Sequence, residues 1–200
     1  MQRRTFELPD YSLDEIKRDY HLFDLCVQNT AQLENVAITI QSLYLYQNIL
    51  QAGDYPRSME ASLCRTIIIM GYSVIEALVV SVGYQIQRAC ERCKHRCKYA
   101  STSMFHDAKA HINASRAFQN ADTYLEAIGV RNLTPNAKAF YDLFRSSRNN
   151  VHLTRNAKVI SKDGDYTREH CLGAAQFLQG FVQMLYENTQ EFVATHRCEV

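Results

Sequence analysis

Residues that form tight turns are scarce in this sequence, which has three prolines and seven glycines in 200 residues. A fold of many strands needs frequent turns, so this scarcity disfavours an all-β protein. Disorder is disfavoured as well, because 46% of the residues are hydrophobic and can form a core. The sequence therefore predicts an all-α fold in a single domain, 1–200.

Neither sign of charge is in excess. The 22 basic and 21 acidic residues give a net charge of +1, so a nucleic-acid partner would have to be recognised by a local patch. The seven cysteines match no obvious disulfide framework, and the first residues, MQRRTFELPD, contain no apolar stretch typical of a secretory signal. We expect a cytoplasmic protein with reduced thiols.

The longest apolar run, Thr66 to Ile86, is about long enough to span a bilayer. Its one charged residue, Glu76, lies near its centre, where a charge opposes insertion by about 2.5 to 3.5 kcal/mol. A buried core helix with no membrane contact is therefore the preferred interpretation.

Helix signals cover both ends of the chain. Ser12 and Glu15 form a capping-box pattern before a helical run that reaches Ala52, with a break expected near Asn29 and Thr30 and an end at Gly53. Three-and-four spacing predicts one buried face in this run, with Leu43, Tyr46, Ile49 and Leu50. A second helix, from about Ser58 into the nineties, is the most apolar and should be central.

Three more helices are predicted after it. One spans Phe118 to Ile128, and the next begins at Thr134 and Pro135 and ends near Leu153. Thr167 caps the last, whose apolar stripe comprises Cys171, Ala174, Ala175, Leu178, Phe181, Val182 and Leu185. We expect an up-and-down bundle of four or five helices around the second helix.

The segment from Arg145 to His152 is the candidate for chemistry. An ideal helix turns by about 100° per residue. With this geometry, the apolar side chains of the predicted motif helix form one face toward the core, and a second stripe of side chains lies along the edge of that face. This stripe contains Tyr141, Arg145, Arg148 and His152. Histidine can transfer a proton near neutral pH and guanidinium groups stabilise charge on a phosphate, so the grouping suits cleavage of RNA without a metal. Alternatively, the polar run satisfies carbonyls at a helix end.

The sequence FRSSRNNVHL, Phe144 to Leu153, resembles the signature of the HEPN superfamily, an arginine followed after four to six residues by histidine. Arg145 and His152 have this spacing, whereas Arg148 with Asn149 is similar to the family's Arg-Asn pair. Either arginine can therefore be the principal one. The resemblance extends to a central apolar helix containing YSVIEALV, Tyr72 to Val79, and to the loop and amphipathic helix after the motif.

This resemblance implies a helical bundle that dimerises through its motif helices and, in active members, cleaves RNA without a metal or cofactor. Arg145 and Arg148 would bind the scissile phosphate, His152 would transfer protons and Asn149 would position them, with Tyr141 in support. Such proteins serve in toxin–antitoxin, phage-defence or RNA-processing systems, so an antitoxin or defence partner is expected. Other members have lost catalysis and bind nucleotides or proteins, which is the alternative function.

Two further groups lie near the end of the second helix. Cys90, Cys93 and Cys97, with His95, could bind zinc, although cysteines at this spacing also share one helical face, and we favour a face without metal. A basic patch there would guide RNA or complement the helix dipole, and it comprises Arg88, Arg92, Lys94, Arg96 and Lys98. Glu76, expected near mid-core, either pairs with Arg145 or Arg148 or faces the surface.

Overall fold

The computed structural model describes residues 11–26, 29–92 and 167–195, which are almost entirely helical, with no strand among them. The helices are α1 (Leu13–Asp19), α2 (Leu22–Leu25), α3 (Thr30–Ala52), α4 (Arg57–Arg92) and α5 (Arg168–Thr195). The predicted all-α bundle is confirmed for these residues. The helices predicted between 118 and 153 lie outside them.

Local capping sets where the first helices begin. Glu15 N–H donates to Ser12 Oγ at 3.2 Å and Ser12 N–H donates to Glu15 Oε2 at 2.9 Å, so the predicted capping box is confirmed. Asn29 caps α3 by accepting a 3.1 Å hydrogen bond from Gln32 N–H, which confirms the break predicted there. A second break, at His21, was not predicted. His21 has φ 50°, in the left-handed region, and separates α1 from α2.

A short turn connects α3 to α4. Gly53 ends α3 in an extended conformation, and a Cβ at this position would lie 2.8 Å from the Tyr55 ring, so only glycine lets the ring approach this closely. Near the other end of α3, Gln32 Nε2 donates to Ala77 O of α4 at 2.8 Å. The two helices therefore run antiparallel.

The core is centred on α4, which packs against both α3 and α5. Its buried hydrophobic side chains cover more than one face, and they are Cys64, Ile67, Ile68, Tyr72, Val74, Ile75, Leu78, Val79, Val82, Ile86 and Ala89. Among the described residues, Arg57–Ile86 is the one stretch apolar and long enough to cross a membrane, but 61% of its most apolar window is buried inside the protein. This burial is what the core-helix interpretation predicts.

The apolar stripe predicted on α5 is confirmed, because all seven of its residues are buried. Thr167 Oγ1 accepts a 3.3 Å hydrogen bond from His170 N–H, as expected for the cap of this helix. The first turn of α5 contacts the first turn of α4 through Arg168 and Glu60. Since the same arginine also contacts the last turn of α3, α5 runs parallel to α4 and antiparallel to α3.

The buried face of α3 differs from the predicted one. Leu43 and Leu50 are buried, but Tyr46 and Ile49 are only half-buried, and Gln47 takes the interior position between them. Gln47 Nε2 donates to Cys171 O at 2.6 Å and to Leu172 O at 3.0 Å. A polar side chain is buried here because its amide has partners on α5, which no pattern within α3 reveals.

Arg168 joins the ends of three helices. Its Nη2 donates to Leu50 O at 2.7 Å and Gly53 O at 3.1 Å, two carbonyls at the end of α3. Its Nη1 contacts Glu60 Oε2 at 3.2 Å, in the first turn of α4. The side chain of Arg168 is 32% exposed, so these charge-assisted hydrogen bonds are partly shielded from water.

We expect Arg168→Ala to lower the free energy of unfolding by about 1.5 to 3 kcal/mol, because it removes charged hydrogen bonds to helix-end carbonyls. Urea unfolding followed by circular dichroism measures the change. Arg18→Ala, which truncates an exposed arginine of α1, is the matched control and should change the free energy by less than about 0.5 kcal/mol. Equal effects of the two substitutions would show that Arg168 does not stabilise the helix ends.

Candidate functional site

The site predicted from sequence lies outside the described residues. This holds for Tyr141, Arg145, Arg148, Asn149 and His152. It also holds for members of the basic and cysteine groups, namely Cys93, Lys94, His95, Arg96, Cys97 and Lys98. Their roles stay predictions. Cys90 and Arg92 lie in the last turns of α4, but their side chains are likewise outside what the structure describes.

Arg88 is the member of the basic patch whose side chain the structure describes, and it is exposed. Ser81, Gln85 and Arg88 share one edge of α4, because residues three and four apart lie on the same side of a helix. This edge faces the end of α2. Ser81 Oγ donates to Leu25 O, and Gln85 Nε2 donates to Asp24 O at 2.8 Å and to Leu25 O at 3.1 Å. The exposed guanidinium therefore follows directly after the α2 contact.

A histidine that the sequence analysis did not single out lies at the same end of the bundle. His21 Nε2 is 2.6 Å from Gln183 Oε1, and the His21 ring stacks on Tyr186 with centroids 4.1 Å apart and planes within 2°. Gln183 Nε2 in turn donates to Glu187 Oε1 at 2.7 Å. We call these four residues the His21 cluster.

Hydrogen bonding in the His21 cluster assigns the ring tautomer. The amide nitrogen of Gln183 donates to Glu187, so the oxygen faces His21 and accepts from its Nε2–H. When the ring is neutral, its lone pair is then on Nδ1. Nδ1 makes no capping hydrogen bond to α2. In this tautomer, Nδ1 is the ring nitrogen that can accept a hydrogen bond.

The backbone of His21 is strained at the point where these side-chain contacts converge. Non-glycine residues rarely adopt positive φ, although histidine does so more often than most. His21 N–H donates to Arg18 O, and His21 O accepts from Asp24 N–H and Leu25 N–H, so the turn between α1 and α2 is fully hydrogen-bonded. Tertiary contacts to α5 hold this conformation, which is why periodicity in residues 12–52 did not predict it.

A second group that the sequence analysis did not pair is a buried dithiol. Cys64 of α4 and Cys171 of α5 are both fully buried, and their side chains are hydrogen-bonded to each other. The hydrogen bond from Cys171 lowers the pKa of Cys64, and the same bond, together with burial, raises the pKa of Cys171. Cys26 is also buried, and burial raises its pKa to about 11. Spacing along the chain gave no signal for the Cys64 and Cys171 pair.

Glu76 is half-buried on α4, which lies between the two expected positions, mid-core and surface. Both arginines proposed as its partners lie outside the described residues, and that pairing stays a prediction. Within the part of the chain that the structure describes, no three histidine, cysteine, aspartate or glutamate side chains are grouped as a metal would require. The predicted cysteine group falls largely outside this part.

Comparison with known proteins gives no relative: no family model, curated protein or solved structure matches this chain. The resemblance to the HEPN superfamily therefore depends on the motif and on the helices around it.

We expect the glycine and alanine variants to rank in opposite order of stability at residue 21 and at residue 179. At His21, His21→Gly should be more stable than His21→Ala by about 1 kcal/mol, because glycine adopts the left-handed region without steric cost. At the exposed position 179 of α5, Gln179→Ala should be more stable than Gln179→Gly by about 1 kcal/mol. Chemical unfolding of the four variants measures both differences. The same order at both positions would contradict a strained His21.

Proposed function

We propose that this protein is a metal-independent endoribonuclease of the HEPN type, active as a homodimer in toxin–antitoxin or phage-defence RNA cleavage. The observation that carries the proposal is the segment from Arg145 to His152, in which two arginines and a histidine share one predicted helix edge and Asn149 directly follows Arg148. Composition and fold alone would suit many helical proteins. The motif supplies the chemistry.

The described helices give the proposal a suitable scaffold. The sequence YSVIEALV lies within α4, and the amphipathic helix that follows the motif in sequence is α5. These two helices pack against each other in the core. Since the resemblance rests on the same two helices flanking the motif in sequence, their packing supports it.

Each motif residue has a chemical task in this proposal. The 2′-hydroxyl of RNA attacks the adjacent phosphorus, and the bond to the 5′-oxygen of the next nucleotide breaks. His152 accepts the proton of the attacking hydroxyl, and His152 of a second copy donates a proton to the leaving oxygen. Arg145 and Arg148 stabilise the negative charge that develops on the phosphate, and Asn149 positions the reacting groups, supported by Tyr141.

Binding of the RNA backbone is assigned to the basic patch that starts at Arg88 on α4. Arg88 is exposed and follows the α2 contact, so its guanidinium is available to a phosphate. Arg92, Lys94, Arg96 and Lys98 continue the patch along the sequence. Binding through these groups releases counterions from the RNA and should weaken as salt concentration rises.

RNA cleavage by purified protein in EDTA tests the proposal. Arg145→Ala, Arg148→Ala and His152→Ala should each slow cleavage, with His152→Ala losing about a hundredfold or more, because general acid–base catalysis is lost. The matched controls are Arg18→Ala and His170→Ala, which change exposed residues and should cleave at the wild-type rate.

Equal activity in all variants would refute the assigned site, and loss of activity in EDTA would refute metal independence. No cleavage across a broad set of RNAs would favour the non-catalytic interaction or nucleotide-binding module. Analytical ultracentrifugation provides the second measurement: a dimer is expected, and a monomer at assay concentration would contradict the composite site.

A further inference from the structure

The buried dithiol lies between the N-terminal parts of two parallel helices. Cys64 lies in the second turn of α4 and Cys171 in the first turn of α5, and neither side chain has any exposed surface. Their thiols are hydrogen-bonded to each other. Two thiols close enough to share a hydrogen bond can form an S–S bond once their side chains adjust to its geometry.

Polar contacts on either side hold the two helices in this register. One turn before Cys171, Arg168 binds Glu60, which is one turn before Cys64. From α3, Gln47 Nε2 donates to the carbonyl of Cys171 itself. These contacts therefore place Cys64 and Cys171 at the same level of the two helices.

We propose that Cys64 and Cys171 are a redox site that forms a reversible disulfide on reaction with a small hydroperoxide. The Cys64 thiolate, its proton lost to solvent, attacks the outer oxygen of the peroxide. The O–O bond breaks, an alkoxide or hydroxide leaves and takes up a proton, and Cys64 becomes a sulfenic acid. Cys171 sulfur then attacks the Cys64 sulfur, an S–S bond forms, and the hydroxyl departs with the Cys171 proton as water.

The surroundings distinguish the two cysteines. The hydrogen bond from Cys171 and the nearby Arg168 guanidinium stabilise a thiolate on Cys64, whereas burial and the Glu60 carboxylate destabilise it. The stabilising effects are larger, so the pKa of Cys64 is lowered. The pKa of Cys171 is raised, because its thiol donates the hydrogen bond and is buried. Cys64 is thus the attacking sulfur, and Cys171 is the thiol that resolves the sulfenic acid.

Burial selects the oxidant. Because both thiols are covered, a bulky disulfide cannot approach Cys64 in the closed bundle, whereas a peroxide needs only a brief opening. Helix ends open at a lower free-energy cost than helix interiors, and Cys171 lies in the first turn of α5. The disulfide would close a loop of residues 65–170, a stretch of sequence that includes Arg145 and His152. Formation of the disulfide does not depend on the proposed function.

The full-length protein is treated with hydrogen peroxide, blocked with iodoacetamide under denaturing conditions, digested with trypsin and analysed by mass spectrometry. We expect a crosslink between the peptides containing Cys64 and Cys171, with the loss of two hydrogen atoms, and its disappearance after dithiothreitol. The melting temperature of the oxidised protein should rise by about 10 °C, since the crosslink restricts the unfolded chain.

Cys64→Ser and Cys171→Ser should each abolish both the crosslink and the rise. Cys26→Ser is the matched control, because Cys26 is buried without a thiol partner among the described residues, and it should retain both. Alkylated Cys64 and Cys171 in the peroxide-treated wild type, or a sulfinic acid at Cys64 without a crosslink, would overturn the proposal. Since this measurement uses the wild-type chain, it stands even if a serine variant fails to fold.

Discussion

Burial of α4 is the constraint on which the other contacts depend. The helix carries apolar side chains around most of its circumference, so a single neighbour cannot shield it from water. Packing against α3 on one side and α5 on another removes these side chains from solvent, and each large aliphatic side chain buried in this way stabilises the fold by about 1.5 to 3 kcal/mol. The helices that shield α4 are therefore held at fixed positions.

Polar contacts then set the register of the bundle. Arg168 fixes the start of α5 against the end of α3 and the start of α4, and Gln47 fixes it a second time from α3. At the other end, Ser81 and Gln85 bind the last carbonyls of α2, which places His21 beside α5. The His21 cluster and the buried dithiol both occur where these contacts bring different helices together.

Local patterns predicted much of this fold. The capping box at Ser12 and the caps at Asn29 and Thr167 act within three residues, so local sequence patterns reveal them. The stripe on α5 follows from helical periodicity, because one face of that helix is buried along its length. In contrast, Gln47 and the strained His21 depend on partners on α5, far away in sequence, and their positions could not be derived from neighbouring residues.

The candidate sites also divide into those that neighbouring residues reveal and those that depend on tertiary contacts. Arg145 and His152 form a local pattern within one predicted helix, and spacing was sufficient to propose their chemistry. The Cys64 and Cys171 pair joins two helices, and only the folded chain brings the thiols into contact. Spacing finds a site carried by one helix, whereas a site shared between helices requires the tertiary structure.

Hydrogen–deuterium exchange in buffer without detergent tests the burial of α4 most directly. If α3 and α5 shield this helix in water, amides from Cys64 to Ile86 should be the slowest to exchange among the described residues, with the buried face of α5 next. Exchange of this segment as fast as that of α1, or protection that appears only when detergent is added, would contradict the account.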